Sequence, residues 1–481
     1  MQPAAQAPGD MASWDAPAAT RPVRALVRPP GSKSVTNRAL VLAALASGPT
    51  MITNPLQARD TRLMAAALRV LGAVIEERET AHRETAQGGT DQSGTDQSGT
   101  DQSGTDQSGG GPTAWLVTPG KVGGAATVDV GNAGTVLRFL PPVAALARAD
   151  VEFGGDERAS RRPVGPLLAA LRDLGAVIDD GGRGAVPFIV RGRGGVSGGT
   201  VTLDASGSSQ LVSGLLLSAP RYDKGAEVRH EGPRVPSAPH IAMTVQMLRD
   251  AGVEVETGVR LRRGDDHGPS VPDIWRVYPG EPRPSSVAVE PDLSNAAPFL
   301  AAALATGGSV TVAGWPERTS QPASQILEVF TRMGGTCTPT QAGMRVSAAG
   351  PIHGITADLR DVSEIAPVLT ALAALADAPS VFTGIGHMRA HESDRLAALA
   401  GEIGALGGNV TERSDGLEIR PRPLRADGAV FASHDDHRLV MAAAVLGLAL
   451  PGGLRVGHAT TVAKTFPGFT RMWSDMLERS P

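Results

Sequence analysis

The stretch Arg28-Pro29-Pro30-Gly31-Ser32-Lys33-Ser34-Val35-Thr36-Asn37-Arg38 sets a lysine, two arginines and several hydroxyls on and around a tight turn ahead of the apolar run 39–45. Free backbone N–H groups at a helix start favour an anion, and Lys33, Ser34 and Arg38 can add charge-assisted hydrogen bonds to it. The letters Gly-Ser-Lys-Ser are close to a nucleotide-binding P-loop. That motif needs Gly-Lys adjacent and a second glycine five residues earlier, and neither is present. Other turns and loops add more charge: Arg138, Arg158, Arg161, Arg162, Glu364, His391, Glu392, Arg395, His437, Arg438 and Lys464. One such arginine is ordinarily solvated or salt-bridged. So many cations at helix entrances, in a chain of net charge −4, point to a strongly anionic small ligand.

The elements that must hold these residues repeat. A β-branched or alternating strand, a turn of small and charged residues, and a long Ala/Leu helix recur about six times. The turns are Gly31 to Arg38, Gly131-Asn132-Ala133-Gly134-Thr135, Ser206-Gly207-Ser208-Ser209-Gln210, Glu290-Pro291-Asp292-Leu293-Ser294, Arg360-Asp361-Val362-Ser363-Glu364 and Ser433-His434-Asp435-Asp436-His437-Arg438. A second echo, Leu68-Arg69-Val70-Leu71-Gly72-Ala73-Val74-Ile75 against Leu171-Arg172-Asp173-Leu174-Gly175-Ala176-Val177-Ile178, reads as a helix closed by glycine and running into a strand. The repeat is therefore a βαβαββ unit of roughly 70–80 residues, and six copies predict two domains of three units each. Helices apolar on every side belong inside each domain.

Composition narrows the classes further. The acidic balance gives no general attraction for nucleic acid or an anionic membrane surface, and the apolar runs fall short of a membrane span. The single cysteine, Cys337, excludes an intramolecular disulfide framework and fits a reducing, cytoplasmic setting. Residues 1–20 read as a Pro/Ala-rich disordered leader. Segment 86–112, containing four copies of Thr-Asp-Gln-Ser-Gly, reads as a disordered insertion.

Five motifs in order, Pro30-Gly31-Ser32-Lys33-Ser34-Val35-Thr36-Asn37-Arg38, Gly131-Asn132-Ala133-Gly134-Thr135-Val136-Leu137-Arg138, His391-Glu392-Ser393-Asp394-Arg395-Leu396, Asp435-Asp436-His437-Arg438 and Lys464-Thr465-Phe466-Pro467, resemble the signatures of the 5-enolpyruvylshikimate-3-phosphate synthase family. The resemblance runs from about Leu26 to about Met476. It implies an α/β fold: a two-domain inside-out α/β barrel of the enolpyruvyl transferase type. One domain is expected from 21–31 plus 290–481 and the other from 32–289, with crossings near Gly31 and Glu290. It also implies transfer of the enolpyruvyl group of phosphoenolpyruvate to the 5-hydroxyl of shikimate 3-phosphate, releasing phosphate, with no metal or organic cofactor. The expected partners are those two small molecules, with no nucleic acid and no membrane, and a monomer is expected.

Carried over residue by residue, the resemblance gives Lys33, Glu364 and Glu392 catalytic roles. Lys33 is to touch phosphoenolpyruvate and assist proton transfer, and Glu392 to handle the methylene proton. Lys33, Ser34, Arg38, Ser208, Ser209, Gln210, Ser237, Glu364 and His391 are to hold shikimate 3-phosphate. Lys33, Asn132, Gly134, Arg162, Gln210, Arg395, Arg438 and Lys464 are to hold phosphoenolpyruvate. The sequence departs from the family pattern at Glu364, one methylene longer than the usual aspartate base, with Asp361 a nearby competitor. It departs also at His391 for a lysine, His387 for an asparagine, His240 for a tyrosine and Phe139 for a proline. The unbranched Gly134 matches members sensitive to the inhibitor glyphosate. A metal site at 434–437 is disfavoured because Arg438 repels a cation. Two other readings are a sister transferase acting on UDP-N-acetylglucosamine, which uses a loop cysteine as acid, and a catalytically silent anion-binding protein. The first would need Cys337 in a loop. The second would not require carboxylates beside the cations.

Overall fold

The computed structural model describes residues 13–79, 113–259 and 271–479; the expected insertion 86–112 lies outside them. Two hydrophobic cores form separately. One gathers apolar residues between Val35 and Val289, and the other gathers Ala16, Val23 and Val27 with residues from Leu293 to Met476.

The βαβαββ unit is visible in the sheets. Strands Ala126–Asp129, Val151–Gly154, Val177–Asp179 and Phe188–Arg191 make one four-stranded sheet, in which the first pair is parallel and the last strand lies between the second and third, antiparallel to both. Gly199–Leu203, Ala226–His230, Val255–Gly258 and Ile274–Val277 repeat that order, as do Thr356–Asp358, Ser380–Thr383, Asn409–Arg413 and Gly416–Arg420. Two further units exchange their first strands. Arg24–Val27 pairs in parallel with Ser309–Ala313 of the second core, while the helix following it, Lys33–Leu45, packs in the first. Ser286–Ala288 pairs in parallel with Thr50–Thr53, and its following helix Leu293–Thr306 packs in the second.

The two passing strands meet where Gly31 bridges Pro291. A Cβ on Gly31 would run into the Asn54 carbonyl beyond the strand Thr50–Thr53 and reach Val289 Cγ1 at 3.0 Å, so glycine is what fits at this crossing.

The sixth copy differs. Val430–Ala432, helix His437–Ala449 and Leu454–Gly457 lack a strand pair of their own, and Trp14–Ala16 takes the open edge, antiparallel to Leu454–Val456. The reading of 1–20 as a disordered leader is therefore corrected from Ser13 onward. Ala16 is buried, and Trp14 packs edge-on against Phe469, whose ring adjoins Phe299, Phe466 and Trp473. An unpaired strand edge above an aromatic cluster is a strong reason to order a short N-terminal segment.

Candidate active site

The interior helices bring their N-termini to one cleft. A cavity there is lined from the first turns of several helices: Lys33 and Ser34, Thr135, Ser209 and Gln210, His240, Ser294, and Arg438. The caps are local. Ser32, Ser208, Asp292, Asp394 and Asp436 each accept a backbone N–H in the first turn of the helix they precede. Several helix starts aimed at one space add partial positive charge to that of the side chains.

Of the residues expected to hold shikimate 3-phosphate, Lys33, Ser34, Arg38, Ser208, Ser209, Gln210, Ser237, Glu364 and His391 all line this cavity. Arg38 is nevertheless heavily engaged by protein. It donates to Thr244 Oγ1 at 2.7 Å, Ser213 Oγ at 3.2 Å and the carbonyls of Ser34 and His240 at 3.0 Å, and it stacks over Phe139. Burial pushes its pKa down to about 9. Ser237 holds a left-handed backbone with φ 52°. Its N–H donates to the Arg360 carbonyl at 2.9 Å and its hydroxyl lies 3.1 Å from Ser363 Oγ, which places a residue of the first core against the turn that carries Glu364.

A second group adjoins the cavity. Arg162 donates to the Asn132 carbonyl at 2.7 Å and lies 3.8 Å from Glu392. Arg138 donates to Gln210 Oε1 at 3.1 Å. The Nε atoms of Arg138 and Arg162 are buried without a hydrogen-bond partner among the described residues. A Cβ on Gly134 would lie 2.5 Å from Arg162 Nη2 and 2.9 Å from Arg138 Nη1, so the bare glycine is what lets both guanidiniums close on the helix start. Lys464 does not line the cavity; its Nζ donates to the Asp435 carbonyl at 2.8 Å.

The carboxylates meet at Arg395. Its Nη2 donates to Glu392 Oε2 at 2.9 Å, its Nη1 lies 3.6 Å from Glu364 Oε2, and its Nε donates to Asp436 Oδ2 at 2.8 Å. Glu364 also lies 3.4 Å from Arg438 Nε, and Arg438 donates to Ser294 Oγ at 2.7 Å. Burial alone would raise both glutamates. The surrounding cations outweigh it, with Arg395 and Arg438 acting on Glu364 and Arg395 and Arg162 on Glu392, and both carboxyls sit well below their ordinary range. Asp361 lines an adjoining pocket and pairs with Arg234 at 2.8 Å, whereas Glu364 lines this cavity beside Asp292.

Three histidines line the same space in the neutral form. Burial first, then nearby arginines, hold His240 and His387 down to about 4 and His391 down to about 3. Arg395 Nη1 donates to His391 Nδ1 at 3.0 Å, which leaves the proton on Nε2.

Several supporting residues have no signal near their partner in sequence. Asp60 stands 3.5 Å from Lys33 Nζ, Asp292 accepts the Lys33 backbone N–H at 3.1 Å, and Asp436 orients Arg395. Cys337 lies in the strand Gly335–Thr340, with its thiol toward Thr331 and the Leu327 carbonyl, and does not line the cavity. Among the described residues no group of three or more histidine, cysteine or carboxylate side chains could hold a metal ion.

A sixfold βαβα frame with helix starts around a cationic cleft defines the enolpyruvyl transferase fold. EPSP synthase from Acinetobacter baumannii superposes with a TM-score of 0.71 at 23% identity, covering 97% of both chains, and the enolpyruvyl transferase NikO from Streptomyces tendae with 0.65 at 17% identity, covering 95% of this chain and 96% of that one. The sequence pattern of EPSP synthase (3-phosphoshikimate 1-carboxyvinyltransferase) matches residues 17–105 and 114–473, and a 3-phosphoshikimate 1-carboxyvinyltransferase from Kocuria rhizophila is 45% identical over 460 residues, 95% of this chain and 94% of that protein. The chain belongs to the EPSP synthase family.

Proposed function

We infer that the chain transfers the enolpyruvyl group of phosphoenolpyruvate to the 5-hydroxyl of shikimate 3-phosphate and releases inorganic phosphate, a step toward the aromatic amino acids. The observation that carries this reading is the meeting of Glu364 and Glu392, two ionised carboxylates from different turns, on the one buried guanidinium of Arg395 beside the cavity. A mere anion-binding site gains nothing from carboxylates there. A reaction that moves protons between two anions needs both.

Glu364 takes the proton from the 5-hydroxyl as its oxygen bonds to C2 of phosphoenolpyruvate, while the methylene carbon gains a proton with help from Glu392 and Lys33. The bond between C2 and the bridging oxygen of the phosphate then breaks, inorganic phosphate leaves with that oxygen, and loss of a proton from the new methyl restores the double bond. The incoming phosphate and carboxylate compete with the glutamates for Arg162, Arg395 and Arg438. Ligand binding therefore raises the carboxyl pKa values toward the range where a proton can be exchanged. Ser208, Ser209, Gln210 and Ser237 supply a neutral hydrogen-bonding pocket for the shikimate phosphate, and Asn132, Gly134 and Lys464 complete the phosphoenolpyruvate side.

We assign 32–289 to one domain and 21–31 with 290–481 to the other, matching the two cores. We read the protein as cytoplasmic and monomeric; among the described residues no helix is long and apolar enough to cross a membrane.

The test is phosphate release from phosphoenolpyruvate with and without shikimate 3-phosphate, for the parent protein and for Glu364→Gln and Glu392→Gln. Release should require shikimate 3-phosphate and fall by about 10²–10⁴ in each variant. Release with UDP-N-acetylglucosamine instead would reassign the acceptor.

A further inference from the structure

Arg158 lies in the short turn Glu157–Arg161 of the first domain, yet its guanidinium is spent on the second. Nη1 donates to the main-chain carbonyls of Glu392 at 2.9 Å and His434 at 2.8 Å, and Nη2 lies 3.5 Å from Asp435 Oδ2. These two loops present Glu392, Arg395, Asp436 and Arg438, and the Asp435 carbonyl accepts Lys464 Nζ. Four residues along the same chain, Arg162 lies 3.8 Å from the Glu392 carboxylate. Arg158 does not line the cavity, and with 42% of its side chain exposed it sits on the rim.

On the opposite side a separate strap, from Ser237 N–H to the Arg360 carbonyl and from Arg234 to Asp361, ties down the turn that carries Glu364. Each strap thus fixes one of the two carboxylates to the other domain.

We propose that Arg158 is a positioning residue that latches the two domains together and, through two loop carbonyls, sets Glu392 and the Asp435–Lys464 contact against Arg162. The proposal rests on the enolpyruvyl-transfer reading. Because the Ser237 strap is untouched, loss of Arg158 falls on the phosphoenolpyruvate side of the site.

The experiment compares the parent chain with Arg158→Ala and Arg158→Lys by steady-state kinetics in both substrates, thermal melting, and small-angle scattering with and without shikimate 3-phosphate. For Arg158→Ala, kcat/KM for phosphoenolpyruvate should fall on the order of tenfold to a hundredfold. KM for shikimate 3-phosphate should stay within about twofold and the melting temperature should hold, as removing a rim contact leaves both cores intact. The lysine variant should recover part of the loss, because an ammonium can still donate to two carbonyls. Scattering reads the latch without turnover, and the alanine variant should be the more expanded. Unchanged kinetics and unchanged dimensions in Arg158→Ala, or a lowered melting temperature with unchanged kinetics, would overturn the proposal. An inactive parent chain with a latch that still registers in scattering would overturn the reaction and leave the latch standing.

Discussion

Arg395 and Asp436 form an ion pair across 41 residues of chain, Nε to Oδ2 at 2.8 Å, with 1% and 0% of their side chains exposed. Asp436 also caps the helix His437–Ala449 by accepting the backbone Arg438 N–H at 2.9 Å, so one carboxylate orients the Arg395 side chain and fixes the backbone that carries Arg438. Asp436 and the two glutamates raise the Arg395 pKa, overcoming the cost of burial, so the guanidinium stays charged. Asp436→Asn takes one of three carboxylates from a buried cation that keeps Glu392 and Glu364, a change that costs about 1–3 kcal/mol, less than leaving the charge wholly unpaired. Urea unfolding should show that loss, and activity should fall in the remaining folded protein because Arg395 no longer points at Glu392.

Gly134→Ala should separate binding from folding. The new methyl meets the far ends of Arg162 and Arg138, which can swing away, and at the first residue of the helix alanine carries no conformational penalty relative to glycine. The melting temperature should hold or rise slightly, KM for phosphoenolpyruvate should rise about tenfold or more, and KM for shikimate 3-phosphate should change little. An unchanged KM for phosphoenolpyruvate would mean that Arg162 does not contact it.

Acid should weaken the fold before its carboxylates titrate. His240, His387 and His391 are held to about 4, 4 and 3 in the native state, whereas unfolded histidine titrates near 6.5. Below about 6.5 the unfolded chain binds protons that the native chain refuses, so this stability is present above about 6.5 and is lost as pH falls toward the native values. The limiting slope is roughly 1.4 kcal/mol per pH unit for each histidine. Glu364 and Glu392, lowered in the native state, add a second loss only below about 4.3, their unfolded value. Urea midpoints between pH 8 and 5 should decline, and His387→Gln should flatten the decline; a flat profile for the parent chain would show that these rings are charged when folded.

The frame was legible because its signals are local and periodic. Ser32, Ser208, Asp292 and Asp436 sit in the repeated turns and do cap helices, and the apolar runs behind them became the interior helices. What was hidden depends on distant pairing. Nothing near Trp14 announces a strand whose partner is Val456, and nothing near Lys33 announces Asp60. Arg158 reads as one more cation gathered for an anionic ligand until the fold brings it to the carbonyl of Glu392, 234 residues away. The motifs supplied the list of polar residues around the cleft but not the division of labour among them, which is set by burial and by which acceptors are already taken.

Arg38 shows that division most directly. By sequence it is a ligand for shikimate 3-phosphate; in the fold it also spans Thr244 and Ser213, 206 and 175 residues away, with no acidic side chain among the described residues bonded to it. A contact used only for the ligand would lose affinity and nothing else when changed. Arg38→Lys cannot reproduce the fork of donors, and a buried ammonium shifts downward in pKa far more readily than a guanidinium. The variant should therefore lose stability, by about 1–3 kcal/mol for the hydroxyls and carbonyls left without donors, together with affinity for shikimate 3-phosphate. Calorimetric binding and urea unfolding on the same preparation check this. Weaker binding at unchanged stability would reduce Arg38 to a substrate contact, and lost stability at unchanged affinity would make it a purely internal strut.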